Sequence, residues 1–148
     1  MRERLRKLRR ISNKITDKYS VRHIKIKPRF LGMREEGFCA AVTEFFDGKT
    51  PVIKIDILFL TFVTFKRIKK TIKHEIAHVI DFYKNPENRH EDHGLSWMLI
   101  AKDLNLPGEA ITQVKKDSKN YHAFKLIHKI YSIKWPLKQF KLTKKKYI

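Results

Sequence analysis

The chain has 148 residues, of which 42% are hydrophobic, so its length and composition suit one domain with its own core. A single cysteine, Cys39, excludes an internal disulfide and a four-ligand zinc ribbon, and it favours a reducing, intracellular location. No apolar run approaches the roughly 20 residues that span a bilayer, and the N-terminal residues lack a signal-peptide pattern.

The formal net charge of +19 is unevenly distributed. Residues 1–29 carry 12 basic and 2 acidic side chains, and residues 115–148 carry 11 basic and 1 acidic side chain. The middle of the chain, residues 30–114, carries 11 basic and 12 acidic side chains. Two cationic ends on a near-neutral middle predict a polyanionic partner, with nucleic acid first and an anionic membrane surface second. The alternative is a lysine-rich composition that has no binding role.

The first half of the chain predicts one helix followed by three strands. Apolar residues recur at steps of three and four over 2–19, which indicates an amphipathic helix with a basic outer face. Alternating patterns predict strands at 21–30, 38–46 and 53–57, and the turn residues 47–51 join the last two as a hairpin. We expect a small, mostly antiparallel three-stranded sheet.

The second half is predominantly helical. The apolar period predicts a helix over 64–83, which ends before Pro86, and another over 94–104. A polar loop connects the two helices. Residues 109–133 are expected to be helical in part, and a basic tail follows. The chain therefore predicts an α+β fold in which the sheet packs with three helices.

A metal-binding pattern lies on the helix predicted over 64–83. His74 and His78 are four residues apart, which places both imidazoles on one face with Cβ atoms about 5–6 Å apart, close enough to bind one zinc ion. Glu75 lies beside this pair, and its carboxylate can reach a water molecule on the metal and act as general acid and base. This HExxH pattern is the zincin signature.

A catalytic zinc site needs a third protein ligand and one open position. His93 is the favoured candidate, because it precedes Gly94 and a new helix that can return the imidazole to the motif. His90 is the alternative. Asp81, three residues after His78, is either a carboxylate that orients a ligand histidine or an ordinary surface residue. The residue that stabilises the oxyanion is left open among Tyr83, His90, Tyr121 and His122.

These residues resemble the SprT-like metallopeptidases, the group that includes Spartan. The resemblance rests on the HExxH run at 74–78 and the His-Gly-Leu-Ser-Trp run at 93–97, and it covers about residues 4–108. It implies a minimal zincin-like domain over 1–108 and a zinc-dependent endopeptidase that acts on DNA-bound proteins or DNA–protein crosslinks. It also implies that His74, His78 and His93 bind Zn²⁺ and that Glu75 is the acid/base.

The sequence departs from many of these relatives at its C-terminal end. Residues 109–148 form a basic, aromatic-containing segment that lacks the zinc ribbon. Lysines interleaved with aromatic rings can bind single strands through phosphate contacts and base stacking. The alternative is that Phe124, Ile127 and Tyr131 form the buried stripe of a last helix. Trp135 fits both interpretations.

The leading hypothesis is a monomeric, DNA-associated zinc protease, whose basic N- and C-terminal segments bind nucleic acid. The second hypothesis is a nucleic-acid-binding module with a structural or vestigial metal, which would not need Glu75. A third is a protein that binds a membrane surface through its basic N-terminal helix. Zinc is preferred on ligand type, although three imidazoles also accept other metals.

Overall fold

The structure, a computed structural model, describes residues 1–34, 37–88 and 93–106. Within these ranges the chain forms four α-helices, five strands and one short 3-10 helix at Pro86–Asn88. The helices are α1 (Arg2–Lys18), α2 (Ile57–Phe62), α3 (Phe65–Lys84) and α4 (Leu95–Asp103). The strands are β1 (Lys25–Arg29), β2 (Met33–Arg34), β3 (Gly37–Phe38), β4 (Ala41–Glu44) and β5 (Val52–Asp56).

Helix α1 confirms the amphipathic pattern predicted for residues 2–19. Leu5 and Leu8 are buried and pack in the common core, while the basic side chains of the opposite face are exposed. The N-terminal turn is held by Arg4, whose Nη1 donates to the carbonyl oxygens of Leu60 at 2.8 Å and Val63 at 2.7 Å. These carbonyls lie at the C-terminal end of α2 and just beyond it, where helical hydrogen bonding leaves acceptors without partners.

The main sheet is mixed and has the strand order β1-β5-β4. Strands β4 and β5 pair antiparallel across the predicted hairpin, whereas β1 pairs parallel with β5. The expectation of mostly antiparallel pairing is therefore met by one of the two pairs. After β1 the chain crosses to the opposite edge of the sheet, where it forms β4. Strand β5 then lies in the centre, between β1 and β4. Its residues Ile53 and Ile55 are fully buried.

All three predicted strands have different bounds in the structure. The first, expected over 21–30, is confined to Lys25–Arg29. The strand expected over 38–46 is divided into β3 and β4, and β3 pairs with β2 as a separate two-stranded sheet. The strand expected to reach Ile57 ends at Asp56, where α2 begins. Asp56 starts this helix because its Oδ1 accepts from the amides of Leu58 at 2.9 Å and Phe59 at 3.1 Å. The same carboxylate accepts from the amide of Leu31 at 2.9 Å.

Helices α3 and α4 confirm the elements predicted over 64–83 and 94–104. Helix α3 is central, since it contacts α1, α4 and strand β4. Its apolar stripe is fully buried and consists of Ile68, Ile72, Ile76, Val79 and Ile80. Among the helices of the described residues, none combines the length and the apolar character that crossing a bilayer requires. The α+β class is confirmed, and α3 is the element that places the histidine motif beside the sheet.

Candidate metal centre

Helix α3 brings His74 and His78 together as their spacing predicts. The two Nε2 atoms are 3.2 Å apart, and the ring centroids are 4.9 Å apart. His74 is buried with 7% of its surface exposed, and His78 is half-buried. Both rings thus project from one face of α3, at the boundary between the core and the surface.

His93 approaches the pair from another segment, directly before α4. Its Nε2 lies 3.2 Å from the Nε2 of His74, and its ring centroid lies 4.8 Å from that of His78. The candidate ligand atoms of the three histidines are all within 4.8 Å of one another. His90, the alternative third ligand, lies outside the described residues.

The donor geometry fits a tetrahedral metal ion. With metal–nitrogen bonds of about 2.0–2.1 Å, two ligand nitrogens on a tetrahedral zinc ion lie about 3.3–3.4 Å apart. The separations of His74 from His78 and from His93, both 3.2 Å, are close to this value. Burial, and then the neighbouring His78 and His93, lower the pKa of His74 to about 3. The imidazole is therefore neutral at pH 7, so a nitrogen lone pair is available to a cation. This cluster could hold a metal ion.

Trp97 of α4 forms a wall of the histidine cluster. Its ring centroid lies 4.6–5.4 Å from the centroids of all three histidine rings, and only 1% of its surface is exposed. The Nε1 group is buried and has no hydrogen-bond partner within the described part of the chain. The indole thus acts through packing, and it restricts the positions that the three imidazoles can take.

Glu75 lies on the same helix between the two histidines, with 9% of its surface exposed. Its Oε2 accepts a hydrogen bond of 2.6 Å from the Thr43 hydroxyl of β4. Thr43 is not among the site residues that the sequence predicts. The available signal was the alternation of β4, which places this polar side chain on the same face as buried isoleucines of β5 and β1.

Asp81 is buried, so the surface interpretation of this residue is wrong. Its carboxylate accepts from Nδ2 of Asn85 at 2.8 Å, and its carbonyl accepts from the Asn85 amide at 2.9 Å. Asp81 therefore helps to end α3. Among the candidates for oxyanion stabilisation, Tyr83 packs edge-on against Phe82, and the other three lie outside the described residues.

A comparison with known protein families decides the classification. The model of the SprT-like family matches residues 6–119, which include the whole of the histidine cluster. The chain belongs to the SprT-like family. This confirms the resemblance found in the sequence, and membership suggests a metallopeptidase-like function for this SprT-like chain. No curated protein and no solved structure matches it significantly.

Proposed function

We propose that this SprT-like protein is a zinc-dependent endopeptidase. The observation that supports the proposal is the clustering of three imidazole nitrogens within 4.8 Å of one another, with the buried carboxylate of Glu75 on the helix that carries His74 and His78. His74, His78 and His93 would hold the ion, and three nitrogen ligands leave a fourth tetrahedral position for solvent or substrate. A purely structural site would have no need of Glu75 or of an open position.

When bound, zinc supplies a Lewis acid that polarises the scissile carbonyl and makes water acidic enough to react near neutral pH. Glu75 accepts a proton from the attacking water molecule as the water oxygen adds to the carbonyl carbon. Glu75 then donates this proton to the amine nitrogen as the C–N bond breaks. The bond from Thr43 and the burial of Glu75 limit the orientations of the carboxylate during both transfers.

The decisive experiment is the substitution Glu75→Gln, assayed by digestion of casein and histones with and without a chelator. Gln keeps the shape of Glu but cannot accept the proton, so we expect normal zinc content and loss of cleavage. The matched control is Glu87→Gln, which changes an exposed residue of the 3-10 helix and should retain full activity. Cleavage by the Glu75→Gln protein would reject the assigned role.

Elemental analysis of the purified protein tests the ligand set. The wild type and the His90→Ala variant should contain about one zinc per chain, because both retain the three proposed protein ligands that one ion needs. The His93→Ala variant should lose it. Zinc loss in the His90→Ala variant alone would reverse the assignment of the third ligand.

We also propose that nucleic acid holds the enzyme near its substrates, which would be DNA-bound proteins or DNA–protein crosslinks. The outer face of α1 supports this, since Arg2, Arg6, Arg10 and Lys14 are exposed at steps of four residues. Binding along a polyanion raises the local concentration of proteins on the same strand, so the protease would need little sequence preference. The basic segment 115–148 would add to this binding.

The double variant Arg10→Gln/Lys14→Gln tests the helical surface without touching the core or the histidine cluster. If each side chain neutralises one phosphate, the slope of log affinity against log salt becomes less steep by roughly 1.8. The control variant Lys49→Gln/Lys84→Gln removes the same charge from exposed positions elsewhere. Equal effects of the two variants, or affinity that does not depend on salt, would reject α1 as the binding surface.

The high positive charge favours one alternative, a nucleic-acid-binding module with a structural or vestigial metal. Such a module would bind DNA and zinc but would digest neither casein nor histones. Its DNA affinity and zinc content would also be unchanged in the Glu75→Gln variant, and that set of results would replace the protease proposal.

A further inference from the structure

Thr43 occupies a position in the sheet where packing alone would favour an aliphatic side chain. In the register of the sheet, Thr43 on β4 pairs with Ile53 on β5, which in turn pairs with Ile26 on β1. Ile53 and Ile26 are buried with 0% and 1% of their surface exposed. Thr43 thus continues an inward-facing row of isoleucines, yet it carries a hydroxyl group at the end of the row that faces α3.

The hydroxyl group of Thr43 is committed to Glu75. Its Oγ1 lies 2.6 Å from the Glu75 Oε2 and 3.5 Å from the Glu75 carbonyl oxygen. A hydroxyl has one proton to donate, so the shorter contact is the hydrogen bond that it makes. A separation of 2.6 Å is typical of a hydroxyl that donates to a carboxylate, and such bonds are about twice as strong as neutral ones.

The two side chains differ in stiffness, which determines which one positions the other. The β-branched Thr43 is restricted at χ1 and is fixed to a strand. Glu75 has three rotatable side-chain bonds and would sample several rotamers without a partner. The bond therefore holds the carboxylate in a fixed position relative to β4, although the two residues are 32 apart in sequence.

From this geometry we propose that Thr43 is a positioning residue, which holds the Glu75 carboxylate in the orientation needed for proton transfer. The inference rests on the proposed protease function. Thr43 itself exchanges no proton with substrate. Its loss would therefore slow the chemical step and leave both substrate binding and metal binding intact.

The test compares Thr43→Val, which keeps the shape but removes the hydroxyl, with Thr43→Ser, which keeps the hydroxyl. We expect Thr43→Val to lower kcat by roughly 10–100-fold, as is typical for residues that orient a group in a metal site. Its KM should change by less than about twofold, because binding of the substrate before the chemical step is unaffected. Thr43→Ser should recover most of kcat. The matched control is Thr50→Val, the same change in the β4–β5 hairpin, and it should behave like wild type.

Zinc content and the thermal midpoint, measured on the same proteins, separate positioning from a folding defect. Zinc content should be close to wild type in Thr43→Val. The thermal midpoint should fall only modestly, because valine suits a half-buried strand position, whereas the buried Glu75 carboxylate loses one hydrogen bond. A readout independent of activity is the Thr43 hydroxyl proton, which NMR should detect as exchange-protected in chelator-treated wild type. The proton should become unprotected in Glu75→Ala.

The possible results separate the two levels of the proposal. Wild-type kcat in Thr43→Val, or equal loss in Thr43→Val and Thr43→Ser, would overturn the positioning role. So would zinc loss in Thr43→Val, since the effect would then lie in the metal site. If zinc-loaded wild type cleaves neither casein nor histones, the protease function fails and the positioning role fails with it. A protected hydroxyl proton would then record a structural bond only.

Discussion

Replacing Asp56 by alanine is expected to destabilise the protein severely, although the residue is far in sequence from the histidine motif. Its carboxylate is fully buried and accepts three backbone hydrogen bonds, from Leu31, Leu58 and Phe59. The bonds join the end of β5, the start of α2 and the connection that follows β1. Alanine removes both acceptor oxygens, so all three hydrogen bonds are lost.

The size of the effect follows from these bonds. Each buried donor left without a partner costs about 1–3 kcal/mol. The Leu31 amide is only partly buried, so water can reach it and its contribution lies at the low end. The buried carboxylate also costs free energy to desolvate, and alanine removes that cost. We therefore expect a net loss of about 3–5 kcal/mol, out of the roughly 5–15 kcal/mol that stabilises a typical domain.

Urea unfolding followed by circular dichroism measures this loss directly. All proteins are measured in excess chelator, so that metal binding does not contribute to the free energy of unfolding. Asp56→Asn retains one side-chain oxygen and should lose roughly half as much as alanine, because its amide faces a donor. The control Asp47→Ala makes the same chemical change at an exposed position and should stay within about 0.5 kcal/mol of wild type.

A loss below about 1 kcal/mol in Asp56→Ala would refute this reasoning, since it would mean that the three amides find other partners. An equal loss in Asp56→Ala and Asp56→Asn would also contradict it. In that case the buried charge, and not the individual acceptors, would account for the stability.

Three further predictions concern the metal and the contact between α1 and α4. Zinc at about 1,000 times its Kd should stabilise wild type by about 4 kcal/mol in thermal unfolding, and His93→Ala should lose this effect; an equal gain in both would contradict the ligand assignment. Co²⁺ should quench the fluorescence of Trp97 in a Trp135→Phe background, because the indole packs on all three candidate ligands; unchanged emission would place the metal elsewhere. Burial, and then Asp103, raise the pKa of Tyr19 to about 12, so stability from Tyr19 should be intact below about pH 10, its usual pKa, and be lost as pH rises through 12. A spectrophotometric titration in which Asp103→Asn does not lower this pKa would disprove the coupling.

The helices could be predicted because their information is local. Each of α1, α3 and α4 has an apolar period, and α3 is followed by Pro86. The pairing of His74 with His78 follows from helical geometry alone. The position of His93 rested on the family resemblance and on Gly94, because no local rule connects residues 19 apart.

The remaining features depend on distant contacts. The parallel pairing of β1 with β5 is set by where the connection after β1 crosses the sheet, and alternation does not encode that path. The six-residue helix α2 was missed because Ile53, Ile55 and Ile57 continue a strand-like pattern into its first residue. The contact from Thr43 to Glu75 also joins separate elements, so it becomes visible only once β4 lies against α3.

Helix α1 is fastened to the rest of the protein at both ends. At one end, Arg4 donates to the carbonyl of Leu60 in the last turn of α2, and at the other end Lys18 forms a 2.7 Å ion pair with Asp103 of α4. Leu8 anchors the middle in the core. A polyanion lying on this helix would therefore stand at a constant distance and angle from the three histidines. With a flexible linker, the reach would grow with the square root of the linker length. Here the distance between the surface of α1 and the three histidines is fixed by the fold. Only proteins bound to the polyanion at that distance from α1 would reach the histidine cluster.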